Sequence, residues 1–275
     1  VKIYPPRLSG TPRRRGFFER LVSVEAIIDN IQIGLAIGNS RYHWAWFLNT
    51  KLQSSWDTEY LTPDRSIESF PVDFQVLIKE TQVRVDTIPI YLVSVVPSQT
   101  EIWQRLPQTQ IITLADIPLQ NLYPTLGIDR ALAAFGAGEV YGYPVLVIDG
   151  GTALTITGID DRRNFSGGAI LPGLRLQIRS LYSGTAALPE ITLPQQLPPR
   201  WSDNTQGAIS SGILHTISAG IRDFIRDWRK LFPESQIVFT GGDGELLVTY
   251  LQLDSIALIP FNRYLLFYGL ASILY

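Results

Sequence analysis

The feature that most restricts the fold of this chain is a strand, glycine turn and strand that occur together twice. Tyr143-Pro144-Val145-Leu146-Val147-Ile148 reads as a buried strand, and Asp149-Gly150-Gly151-Thr152 as a tight turn. Ala153-Leu154-Thr155-Ile156-Thr157 then alternates as a half-buried strand does. Glycine pairs favour such hairpin turns. Far upstream, Ile33 to Ile37, Gly38-Asn39-Ser40 and Arg41 to Phe47 repeat the pattern, and placing Gly38 on Gly151 sets Asn39 over Thr152 and Ala36 over Asp149. A third glycine turn, Gly241-Gly242, follows the strand Gln236 to Thr240 and leads into a helical stretch from Glu245 to Leu251. One Gly-Gly hairpin is ordinarily no more than a hairpin. Two of them far apart predict a duplicated α/β unit with a ligand clamped between the copies. The second turn brings a carboxylate, bare N–H groups and a hydroxyl to one tip, a set suited to a phosphate and its cation. It has neither the lysine nor the directly following helix of a P-loop.

With 275 residues, 45% of them hydrophobic, the chain has material for two compact domains or one large one. A formal charge of −2 gives no general electrostatic case for a nucleic-acid partner. Cysteine is absent and His43 and His215 are the only histidines, which excludes disulfides and a cysteine nucleophile and leaves little for zinc. No uninterrupted apolar core follows the basic N-terminal residues, so no secretory signal is expected and the cytoplasm is the expected location. Ile256 to Tyr275 is apolar, but Pro260, Asn262 and Arg263 leave too short a run for a membrane span. A buried strand and a final helix are expected there instead.

Residues 1–30, with Pro5, Pro6, Pro12 and Arg13-Arg14-Arg15, are expected to be a solvated, flexible extension in which Phe17 to Ile28 form an amphipathic turn or two. Strand-rich α/β patterning begins at Ile31. Tyr91 to Val96 reads as a buried strand stopped by Pro97, and Ala131 to Ala137 as a short helix. A domain boundary is expected near Gly142 to Val145. Pro172 is placed at a helix start, with Leu174, Ile178 and Leu181 on one face. Residues 189–201 read as a proline-rich surface loop. The longest helix is expected from about Gln206 to Leu231, with Ile209, Ile213, Ile217, Ile221, Phe224 and Trp228 as its apolar stripe and His215 as a packed or solvent-facing residue. The six tryptophans are expected to serve core and interface packing.

Gly127-Ile128-Asp129-Arg130 precedes the short helix. Asp129 there suits the helix dipole. It equally suits a base for a substrate hydroxyl, with the Arg130 guanidinium beside it for a carboxylate or phosphate. On this motif and those around it, the chain resembles the type III pantothenate kinases of the actin-like, sugar-kinase and Hsp70 superfamily. Gly-x-Asp-Arg is matched at Gly127 to Arg130 and Asp-x-Gly-Thr-Ala at Asp149 to Ala153. The glycine-rich run Gly167 to Gly173, Thr185-Ala186-Ala187-Leu188-Pro189, Asn204-Thr205 and Thr240-Gly241-Gly242 complete the order over about residues 31–275.

That resemblance implies a duplicated actin-like (ribonuclease H-like) ATPase fold, with domains over 31–143 and 144–275 and the active site in the cleft between them. It implies ATP-dependent phosphorylation of pantothenate, the first step of coenzyme A synthesis, by a homodimer. Asp129 would be the base, and Tyr123, Gly127, Ile128, Arg130 and Thr205 would contact pantothenate. Ala36, Ile37, Gly38, Asn39, Ser40, Arg41, Tyr42, His43, Thr152, Gly241 and Gly242 would bind ATP. Asp149 would hold potassium or ammonium, with Mg2+ carried on the ATP phosphates. Two departures stand out. The family's first hairpin opens Asp-x-Gly-Asn-Thr, where this chain has Ala36-Ile37-Gly38-Asn39-Ser40. The segment Asn121 to Leu126 is also one residue shorter than the family's. Two alternatives therefore stay open: a kinase of another small alcohol, and a catalytically reduced homologue that binds or regulates.

Overall fold

The computed structural model describes residues 30–63, 69–251 and 260–274. The expected extension lies outside them apart from Asn30. The C-terminal strand expected between Ile256 and the final helix begins among the undescribed residues 252–259.

Two sheets share one plan. In the first, β1 (Ile31–Ile37), β2 (Tyr42–Leu48) and β3 (Lys51–Thr58) form an antiparallel meander, and β4 (Ile90–Ser94) and β5 (Thr109–Ile111) extend it parallel to β1. In the second, β6 (Val145–Gly150), β7 (Ala153–Ile159) and β8 (Phe165–Pro172) repeat the meander, and β9 (Gln236–Thr240) pairs parallel to β6. The doubled hairpin in the sequence is thus a doubled sheet. The two actin-like halves are built on it.

Strand alternation sorts side chains to opposite faces. Ile31, Ile33, Leu35 and Ile37 pack outward with Phe74 of α1 (Val72–Thr81) and Trp103 of α2 (Pro97–Trp103). Leu146, Ile148, Leu154 and Ile156 pack outward with α4 (Leu174–Gly184), α5 (Thr205–Leu231) and α6 (Gly244–Leu251). Between the sheets, Ala36, Ala45, Phe47, Val145, Val147 and Val238 meet α3 (Ile128–Tyr141) and α7 (Leu265–Ile273). The layers therefore run helices, sheet, helices, sheet, helices.

The central helix pair is tied backbone to backbone. A Cβ on Gly136 would sit 2.0 Å from the Leu265 carbonyl oxygen, and one on Gly269 would sit 2.2 Å from that of Leu132. Glycine at both positions lets α3 and α7 cross with nothing between them.

Three local expectations need correcting. The helix after Gly127-Ile128-Asp129-Arg130 is not short; it runs 14 residues, because buried small residues continue through Gly138. Pro172 ends strand β8, and α4 begins at Leu174 after the extended Gly173. On α5 the buried stripe continues through Ile225 to Trp228, while Phe224 is 45% exposed. The span of α5 agrees with the expectation, and Asn204 caps the helix by accepting from the Gly207 N–H at 2.9 Å. A ring nitrogen of His215 lies 2.9 Å from the Pro198 carbonyl. Among the described residues no helix is long and apolar enough to cross a membrane.

Candidate active site

The two glycine hairpins point their tips at one another. Ser40 Oγ and Thr152 Oγ1, far apart in the chain, lie 3.1 Å apart. In the second hairpin Gly150 belongs to the strand, the turn proper is Gly151-Thr152, and neither glycine has positive φ. The Gly151 N–H donates to Ala153 at 3.0 Å. In the first, the Gly38 N–H donates to the Arg41 carbonyl, and the Tyr60 hydroxyl donates to the Gly38 carbonyl at 2.6 Å.

Register decides what each residue of the first hairpin can offer. Ala36 opposes His43 and both face the second sheet, whereas Ile37 and Tyr42 point into the outer core. Tyr42 is fully buried and its oxygen accepts from the Trp103 indole at 2.9 Å. Ile37 and Tyr42 can therefore reach the cleft only through their backbones. Asn39, Ser40 and Arg41 are exposed at the tip.

Asp149 ends β6 on the cleft face, between Thr155 of β7 and Thr240 of β9, both buried. Gly241, at φ +84°, leads the chain past it: a Cβ there would come within 2.2 Å of Asp149 Oδ1. Gly242 is exposed, at the entry to α6. Burial, reinforced by the charge of Asp129, pushes the Asp149 carboxyl up to about 6, against the opposing effects of His43 and Arg130. Asp129, His43 and Arg130 therefore act on one carboxylate.

That shift has a stability consequence. Below its ordinary range near 3.8, Asp149 is protonated in folded and unfolded chains alike. As pH rises toward 6 the unfolded chain loses the proton first, so the folded state loses stability, and the loss persists above. Asp149→Asn is expected to raise the melting temperature of the ligand-free protein in sodium buffer at pH 7.5 by about 2–4 °C, the shift ~1 kcal/mol gives in a chain of this size. The gain should vanish near pH 4. Thermal melts across that range check it, and an equal gain at both ends refutes it.

Asp129 lies in the first turn of α3, half-buried, its Oδ1 accepting from the Arg130 N–H at 2.8 Å. Arg130 departs from the expected open fork. It is 7% exposed and turns inward, donating to Thr157 Oγ1, to the Ile156 carbonyl at 3.2 Å and to the Tyr123 hydroxyl at 3.2 Å. A Cβ on Gly168 would sit 2.8 Å from this guanidinium, so the glycine-rich β8 is what makes room for it. Tyr123 is thereby fixed beside the Asp129 motif. Beside Gly127 and Ile128 opens a groove of about 850 Å3, lined also by Ser94, Glu101, Thr113 and Pro124.

Thr205 is not part of this cluster. It starts α5 and is exposed, and no hydrogen bond joins it to Asp129 or to either hairpin. Sequence reasoning also missed several groups. Asp57 on β3 holds His43 Nδ1 at 2.7 Å, and Thr157 anchors Arg130. Asp243, 6% exposed, pairs with Arg175 at 3.0 Å beside the third glycine turn. None belongs to a linear motif; Asp57 was findable only as the β3 neighbour of His43.

Two like sheets, each presenting a glycine hairpin to a shared cleft, define an α/β protein of the actin-like, sugar-kinase fold. The activator of 2-hydroxyisocaproyl-CoA dehydratase from Clostridium difficile, solved with ADPNP bound, shares this fold at TM-score 0.50 and 11% identity, over 89% of this chain and 93% of its own. A protein from Campylobacter jejuni, solved under the name of a Baf family transcriptional activator, matches at TM-score 0.60 and 22% identity, over 88% and 96%. The type III pantothenate kinase profile matches residues 33–227. Type III pantothenate kinases from Nostoc sp. and Synechocystis sp. are 44% and 43% identical, over 90% and 88% of this chain and 95% and 89% of theirs. The chain belongs to the type III pantothenate kinase family.

Proposed function

We propose that this protein transfers the γ-phosphoryl group of ATP to the primary hydroxyl of pantothenate, opening coenzyme A synthesis in the cytoplasm as a homodimer. The observation that carries the reading is the meeting of the two hairpin tips at Ser40 and Thr152, with Asp149 close behind the second tip and near enough to Asp129 to feel its charge. Phosphoryl transfer needs positioning and charge stabilisation more than covalent help from the protein. Hairpin N–H groups and the two hydroxyls hold the phosphates. Asp129 takes the proton of the attacking hydroxyl, which enters through the groove beside Gly127. Arg130, anchored on Thr157, fixes the start of α3 and its charge offsets that of the carboxylates. Tyr123 borders the acceptor.

Asp149, with Thr155 and Thr240 beside it, offers oxygen ligands to potassium or ammonium. When bound, the cation would offset charge between the carboxylate and the phosphates. Mg2+ would ride on phosphate oxygens and water, as it commonly does with nucleotides.

The test is ADP release with ATP, Mg2+ and pantothenate, in potassium and in sodium buffer, with mass spectrometry of the product and a panel of other small alcohols. Phosphopantothenate formed several-fold faster in potassium is expected. Faster turnover of another alcohol would reassign the acceptor. No turnover of any alcohol would favour the reduced homologue that Ala36 suggests.

A further inference from the structure

β8 is an edge strand of the second sheet, and its side chains alternate between the two faces. Ala169 and Leu171 pair with Ile156 and Leu154 and pack toward the outer core. Ile170, between them, pairs with Thr155 and takes the opposite face. Thr155 in turn opposes Asp149, and Asp149 pairs with Thr240. One row therefore crosses the cleft face: Ile170, Thr155, Asp149, Thr240. Three of these side chains are polar. The fourth is an isoleucine that is 62% exposed.

A lone exposed aliphatic side chain on a protein surface needs no explanation. This one is marked by its neighbours. Adjacent strands lie about 4.8 Å apart, which puts the Ile170 backbone ~10 Å from that of Asp149. Along β8 it is two residues, about 7 Å, past Gly168 on the same face. The Arg130 guanidinium fills the space over Gly168, where a Cβ would sit 2.8 Å from it. Thr155, across from Ile170, is nearer the hairpin tip than Thr157, on which Arg130 is anchored. Ile170 thus borders Arg130 on the hairpin side, beside the start of α3 that carries Asp129.

The carbon next to the hydroxymethyl group of pantothenate is fully substituted and bears two methyl groups. When the hydroxyl reaches Asp129, those methyls must find an aliphatic surface beside the base. Asp149 and Arg130 offer none, and Thr155 is buried. We propose that Ile170 is a specificity-determining residue of the acceptor site, seating the two methyl groups and so selecting alcohols branched at the carbon next to the hydroxymethyl group. This rests on reading pantothenate as the acceptor. Closing Ile170 against the methyls removes apolar surface from water on both sides of the contact, and an alcohol without them gains less.

The probes are pantothenate and its analogue with hydrogens in place of the two methyls. The parent is expected to favour pantothenate about tenfold in kcat/KM. Ile170→Thr keeps the branched Cβ that suits a strand and loses the apolar face. It should reduce the preference to about twofold by lowering kcat/KM for pantothenate, with the KM for ATP and the melting temperature close to the parent's. Ile170→Val should keep most of the preference. Light scattering is expected to give parent and variants the same mass. No preference in the parent, or an equal one in Ile170→Thr, overturns the proposal; if pantothenate is phosphorylated all the same, the proposed function stands without it. A lower mass for Ile170→Thr also overturns it and makes this face a contact between two copies of the chain. Should the parent phosphorylate neither alcohol, calorimetry decides. Pantothenate bound about tenfold more weakly by Ile170→Thr keeps the methyl seat and sinks the activity, and equal affinity sinks both.

Discussion

Replacing Asp129 by asparagine is expected to lower kcat for pantothenate by roughly 10² or more, the usual effect of losing a general base. ATP affinity and melting temperature should change little. The side chain is half-buried, and its one described hydrogen bond is accepted by Oδ1 from the Arg130 N–H, which the asparagine carbonyl can accept as well. What asparagine cannot do is take a proton. The substitution also removes a negative charge beside Asp149, so that carboxyl should ionise at lower pH in the variant. Steady-state kinetics, with nucleotide binding measured separately, checks the expectation. A variant with normal kcat removes Asp129 from the role of base. A variant with raised KM for ATP and unchanged kcat would make it a nucleotide contact.

The second large effect concerns the central helix crossing. In an exposed helix, Gly→Ala stabilises by up to about 1 kcal/mol. At Gly136 the same change places a Cβ 2.0 Å from the Leu265 carbonyl oxygen and 2.5 Å from the Gly269 N–H. These are backbone atoms that no rotamer change can move. Overpacking of this kind costs about 1–3 kcal/mol, enough to reverse the sign of the propensity gain. Gly136→Leu should cost more, ~3 kcal/mol or beyond, and lower kcat as well, because α3 carries Asp129 at its start. Urea denaturation of both variants tests this. A stabilised Gly136→Ala would mean that the two helices do not touch.

Much of this architecture was legible in the sequence because it is written in local periodicities. The repeated strand, glycine turn and strand gave the duplicated sheet, and the isoleucine stripe marked α5. Where reading failed, two physical effects competed at one position. Pro172 is as compatible with the end of a strand as with the start of a helix. Phe224 and Ile225 both extend an apolar stripe, and only contact with the sheet decides between them. The site divides the same way. Asp129, Asp149, Ser40 and Thr152 sit in motifs whose spacing marks them. The inward turn of Arg130 depends on Thr157 and on space left by Gly168, and the pairing of His43 with Asp57 depends on sheet register. Neither relation has a one-dimensional signature. Thr205 stands apart from the cluster in a single chain, and its carry-over from the family pattern rests on the motif alone.

The crossing of α3 with α7 also sets an order on biogenesis. Asp129 is fixed to a helix whose closest neighbour, residues 265–273, follows more than a hundred positions later. Domains assemble from the N-terminus as synthesis proceeds, so both sheets can pair while α7 is still in the ribosome. Until it docks, α3 rests on the sheets alone and lacks the neighbour that its Gly136 meets. The nascent chain can thus own both glycine hairpins before the helix that carries Asp129 has its full packing.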